Sequence, residues 1–134
     1  MSRLITRLSW APVSPRFELE LERERCAPGE TITGTVHVLE GGASRSLRVR
    51  LEYHERTEDY ATVATGLTSG PLHTGGDLIA GTAFRFELAL PADALPNYRS
   101  EHGELYWELH VKSDEFGPDT HARRRVEVTP LLPR

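Results

Sequence analysis

The stretch CAPGETITGTVHVLE, residues 26 to 40, opens with a proline-glycine turn at Pro28 and Gly29 and continues as an alternation of apolar and polar residues. Ile32, Val36 and Val38 fall on one side, and Thr31, Thr33, Thr35 and His37 on the other. Side chains of a strand point alternately to its two faces, so this period of two predicts a half-buried strand. The apolar face contains one residue that is not apolar bulk, Gly34. A glycine inside a strand marks a bulge, a bend or the close approach of another group. The expected intruder is the opposing layer of the core, or a large aromatic such as Trp107, so that Gly34→Leu would overpack the interior by about 1 to 3 kcal/mol.

The same period runs through the rest of the chain from residue 16. RFELELERE turns Phe17, Leu19 and Leu21 inward and three glutamates outward. SLRVRLEYHERTED does the same with Leu47, Val49, Leu51 and Tyr53. GTAFRFELALP, GELYWELHVKS and HARRRVEVT contribute Phe84, Phe86, Leu88, Leu90, Leu105, Trp107, Leu109, Val111, Val126 and Val128 to one apolar face each. YATVATGLT alternates more weakly and reads as an edge strand. Seven strands with one apolar face apiece can hide those faces only as two sheets packed together, so the expected fold is an all-β antiparallel sandwich. Between the strands lie APG, GG, SGPLHTGG, PADALPN and FGPD, all turn chemistry. Residues 1 to 15 read as an N-terminal leader, 16 to 129 as the sandwich and 130 to 134 as a tail. The three outward glutamates of the first strand should lie beside a basic strand, either the third with Arg48 and Arg50 or the last with Arg123 and Arg125.

At 134 residues the chain can bury a single core of ordinary size without disulfide or metal staples. It has 38% hydrophobic residues, 27% charged residues and no apolar run near the roughly 18 residues of a membrane span, so membrane insertion is not expected. MSRLITRLSW does not read as a secretory signal, and the single Cys26 suits a reducing compartment, so a cytoplasmic location is expected. Fifteen of the 16 basic residues are arginine, Lys112 being the exception, which reads as the coding bias of a GC-rich, bacterial genome. A net charge of −4 argues against nucleic acid as a partner, because such binding rests on a basic face that neutralises phosphates. The run RRRV at 123 to 126 splits between two strand faces and reads as solubilising charge.

Three segments in order carry a family resemblance. CAPGETITGTVHV resembles the turn and I-x-G-x-V strand of arrestin-like proteins. LIAGTAFRFELALPADALPNY is similar to a second segment of that family, with Gly81 before an aromatic-rich strand that ends in L-P. GELYWELHVKSDEFGPD is similar to a third, a strand with W-x-L followed by an acidic hairpin. The resemblance implies an immunoglobulin-like sandwich of arrestin type, nearest the prokaryotic sporulation-control members, that works by protein contact without catalysis. The sequence departs from the family: familiar arrestins have two tandem sandwiches, whereas one is read here. The paired lysines with which receptor arrestins sense phosphate are missing here, as is a proline-proline-x-tyrosine motif.

No catalytic constellation emerges. G-x-S-x-G, G-K-[ST] and metal-ligand spacings are absent, and histidines 37, 54, 110 and 121 fall on outward strand positions, where they read as solvated. The acids of SDEFGPD read as a hairpin, and no cofactor or metal is expected. The expected function is therefore an adaptor or scaffold whose partner is another protein, or a second copy joined through an edge strand. Leu67, Leu72, Leu78 and Ile79 of the long connector 65 to 82, with Tyr106 and Trp10, are the candidate contact residues. Pro28, Gly29, Gly34, Gly81 and Trp107 are read as structural. The alternative is a sandwich that binds a small ligand or carbohydrate by stacking on Tyr60, Tyr98 and Tyr106.

Overall fold

The computed structural model describes residues 15–114 and 120–130. In chain order the strands are β1 (Arg16–Leu21), β2 (Arg25–Cys26), β3 (Thr31–Glu40), β4 (Gly42–Ala43), β5 (Ser46–Thr57), β6 (Ala61–Thr68), β7 (His73–Thr74), β8 (Asp77–Leu78), β9 (Ala83–Ala89), β10 (Tyr98–Arg99), β11 (Gly103–Asp114) and β12 (Thr120–Val128). Among the described residues there is no helix. The seven long strands are those that the alternation predicts. The five two-residue strands have no period to reveal them.

One layer has the order β1-β3-β9; the other runs β2-β12-β11-β5-β6, with β10 added to β11 and β7 to β5, and β4 and β8 pair as a separate two-stranded ribbon. All pairings are antiparallel except that of β2 with β12. The faces meet as the period requires. Phe17, Leu19, Ile32, Val36, Val38, Phe86 and Leu88 from the small sheet pack on Leu47, Val49, Leu51, Trp107, Leu109, Val111, Val126 and Val128 from the large one. Each buried side chain of this size contributes on the order of 1.5 to 3 kcal/mol relative to exposure. Trp107 also donates its indole N–H to the Leu95 carbonyl at 2.8 Å, which satisfies its one polar atom.

Gly34 does lie at a close approach, but the intruder comes from its own sheet. A Cβ on Gly34 would stand 2.6 Å from the Glu20 carbonyl oxygen of β1 and 2.7 Å from the Phe86 ring of β9. Phe86 is the cross-strand partner of Gly34, and its ring folds over the bare backbone. The nearest groups thus come from β1 and β9, and not from the opposing sheet or Trp107. Gly29, at φ 88°, turns the chain into β3, a conformation that side chains resist.

The expected neighbour of the acidic first strand is corrected. β1 pairs only with β3, whose outward residues are threonines and His37. Its glutamates find single partners: Glu20 meets His37 at 2.7 Å, and Glu22, just past the strand, meets Arg85 of β9 at 2.6 Å. The arginine that reaches β1 from the last strand is the inward-phase Arg124, which donates to the Leu19 carbonyl at 2.9 Å and pairs with Glu24. Arg124 thereby closes the seam between the two sheets.

Candidate functional site

Two features of the large sheet differ from an ordinary solvated surface: its free edge and its outer face. The edge is β6. Three long strands end sheets in this fold, and two of them carry charges, Arg16, Glu18 and Glu20 on β1 and Arg85 and Glu87 on β9. β6 carries none, and from Tyr60 to Gly76 the chain has no Asp, Glu, Lys or Arg. Edge strands expose unpaired N–H and C=O groups, and charge is the usual device against unwanted pairing. Ala61, Thr62, Val63 and Ala64 are exposed whichever face they take, Val63 at 57%. A register shift against β5 falls at Leu51 and Glu52, toward the other end of the strand, so positions 61 to 64 stay in regular register.

The outer face of β5, β11 and β12 is a polar network built by the register. Glu108 stands opposite Glu52, Tyr106 opposite His54 and His110 opposite Arg50 on one side, with Arg123 opposite His110 on the other. Glu52 is only 3% exposed and His110 1%. The reading of His110 as a solvated surface residue is therefore overturned: the long side chains of Arg50, Arg123 and His121 cover it. Arg123 Nη1 donates to Glu52 Oε1 at 3.0 Å and Glu108 Oε1 at 2.9 Å, and Arg50 Nη2 lies 3.1 Å from Glu52 Oε2. His110 Nδ1 is 2.8 Å from Glu52 Oε2, and its Nε2 meets His121 Nδ1 at 2.5 Å.

Burial is the largest influence on both central groups. It pushes the His110 pKa down from 6.5, aided by Arg123 and Arg50 against the pull of Glu52, so the ring is held neutral. A neutral His110 that donates from Nδ1 to Glu52 accepts at Nε2 from His121. Burial pushes Glu52 up, but the hydrogen bonds from His110 and His54 together with nearby positive charge outweigh it and hold the carboxyl below 4.5.

Glu52, His54 and Glu108 bring three potential ligand atoms within 4.8 Å of one another, the spacing a metal ion would use. The cation that the two carboxylates call for is already supplied by the Arg123 guanidinium, with Arg50 as a second, so the charges balance within the protein. The arginines of RRRV reach solvent, as solubilising charge does, and are also paired. Arg123 holds Glu52 and Glu108, Arg124 holds the seam, and Arg125 pairs with Glu104 at 2.7 Å.

The candidate contact residues separate. Leu78 is buried in the core and Leu67 and Leu72 pack against it, so these three cap the sandwich, whereas Ile79 is 69% exposed. Tyr106 lies between the His54 ring, stacked at 4.6 Å, and the Arg125 guanidinium, 3.7 Å from its centroid. With neighbours over its ring, Tyr106 has no free face for a sugar. Trp10 and the leader up to residue 14, like the hairpin acids 115 to 119 and the end of the tail, lie outside the described residues. The network residues Glu52, Glu108 and Arg123 and the neutral edge escape a reading of single strands. The sequence signals that could find them are the outward Arg-Glu-His and Glu-Tyr-Glu-His alternations of two adjacent strands and the uncharged run from Tyr60 to Gly76.

No family model and no curated protein matches the sequence. Among solved structures, the crystal structure of Spo0M, a sporulation control protein from Bacillus subtilis, matches with a TM-score of 0.69 at 21% identity over 87% of this chain. The fold is therefore the arrestin-type sandwich expected from the three segments. The match takes in 49% of the Spo0M chain, so this chain spans about half the length of that protein. At this identity the likeness concerns the fold alone.

Proposed function

We propose, from the fold shared with Spo0M as premise, that the chain is a non-catalytic adaptor or scaffold that takes up another protein, or a second copy of itself, as an added strand along β6. The observation that carries this reading is the uncharged edge at 61 to 64, exposed on both faces, in a domain whose other long edges are charged. Strand addition draws affinity from main-chain hydrogen bonds and selectivity from alternate side chains, here Ala61 and Val63, with the exposed Tyr60 next to them in sequence. The absence of catalysis fits two facts. Cys26 is buried, and burial raises its pKa, the reverse of an activated thiol. The ionisable groups of the outer face are engaged with one another. Residence in the cytoplasm belongs to the same reading and fits the free thiol; no helix among the described residues is long and apolar enough to cross a membrane.

The test compares Val63→Lys on β6 with Glu87→Lys on β9, both at exposed positions. Each tagged variant is used for capture from cell extract and for light scattering. Loss of a stoichiometric partner or of a defined oligomer in Val63→Lys alone is the expected result. Equal capture and equal mass for wild type and both variants would refute the β6 edge as the docking strand.

A further inference from the structure

The hairpin between β5 and β6 decides which way the main-chain groups of β6 point. Thr57 donates its N–H to the Tyr60 carbonyl at 2.8 Å, so these two residues form a hydrogen-bonded pair at the turn. Along antiparallel strands such pairs alternate with pairs whose N–H and C=O groups point away from each other. In the register of the two strands, Thr62 and Ala64 therefore direct theirs to Glu55 and Tyr53 of β5. Ala61, Val63 and Thr65, opposite Arg56, His54 and Glu52, direct theirs to the open edge, where β6 has no neighbour among the described residues. The regular register starts at Ala61 after the turn and stops at Thr65, because Gly66 has no opposite residue. Val63 is the midpoint of that stretch.

Resting on the strand-addition reading above, we infer that the added strand is the β6 of a second copy, antiparallel, with a two-fold axis through Val63. Such an axis opposes Val63 to its own counterpart and Ala61 to the partner's Thr65. Every residue of these pairs has its main-chain groups free, which gives about six hydrogen bonds across the axis. An axis moved one residue either way keeps only about four. Two-fold pairing also sets like against like, so a charge on the axis would face itself, and like charges directly opposite one another are destabilising. β6 carries no charge. Beyond the ladder the acids of the turn, Glu58 and Asp59, run toward the partner's Thr68 and Leu67, which are uncharged as well. The exposed Val63 side chains cover each other, and the two large sheets become one. A two-fold contact of this kind is closed, so it uses up the unguarded edge on both copies and leads to a dimer without further growth.

Sedimentation of the purified protein from about 1 to 100 μM, a span that brackets moderate affinity, tests the dimer with wild type, Val63→Lys, Val63→Glu and an equimolar mixture of the two variants. Wild type is expected to dimerise and to form nothing larger. Each variant alone should dimerise at least about tenfold more weakly, because the axis opposes its charge to itself. The mixture should dimerise again, since opposite charges then meet on the axis; a variant that had merely lost its fold could not be restored by mixing. A wild type that stays monomeric throughout, growth beyond the dimer, or a mixture as monomeric as its components would each overturn the inference. Strand addition itself would outlive a monomeric wild type if Val63→Lys still lost a protein captured from extract, and would fall with the dimer if capture were unchanged.

Discussion

Gly34 is a residue whose role follows from a distance. A methyl group there would have to enter the 2.6 Å gap to the Glu20 carbonyl oxygen, which is backbone and cannot swing aside, as well as displacing the Phe86 ring. Gly34→Ala is therefore expected to lower stability by about 1 to 3 kcal/mol, read as a drop in the denaturation midpoint; an unchanged midpoint would mean that β1 and β9 yield freely. That Gly34 is special was legible from its place on the apolar face of CAPGETITGTVHVLE. The identity of its neighbour was not, since only the register of β3 with β9 brings Phe86 over it. His110 shows the same limit from the other side. Its outward phase was readable, but on the inner strand of a wide sheet an outward residue can be roofed by the arginines of its neighbours.

At the scale of elements, the seven long strands were legible because period two is a local signal that survives without knowledge of partners. Pairing is nonlocal. The glutamates of β1 suggested a basic partner, yet β1 pairs only with β3 at the end of its sheet and meets the basic β12 across the edge of the sandwich, where Arg124 reaches the Leu19 carbonyl. That arginine defines a prediction for the seam. Arg124→Met keeps much of the apolar stem but removes the donor to the Leu19 carbonyl, at a cost of about 1 kcal/mol. Amide exchange should speed up in β1 and stay unchanged in β5 and β11; a uniform change over all strands would contradict a local seam. The neutral edge of β6 was partly legible as well. The alternation identified an edge strand, but its lack of charge gains meaning only when β1 and β9, the other long edges, prove to be charged.

The whole molecule should register the outer-face network as a pH dependence. His110 has a folded pKa below its ordinary 6.5, so it contributes no penalty above that value, where both folded and unfolded forms are neutral. As pH falls below 6.5 the unfolded chain takes up a proton that the folded chain refuses, and stability declines. Glu52, held below 4.5, adds a loss of the same sign only in more acid solution, as pH falls toward its folded pKa. The melting temperature is thus expected to fall between pH 7.5 and 5.5, and His110→Asn, which keeps a donor near Glu52 but cannot titrate, should flatten that slope. Parallel slopes for the two proteins would show that His110 titrates freely. The central claim, that β6 takes up an added strand, is tested most directly by amide hydrogen exchange on residues 61 to 68, measured on the dilute protein and again on the oligomer or captured complex. Protection gained along β6, with β9 unchanged, is the predicted result. Exchange along β6 that is equally fast in the free and assembled protein would contradict it.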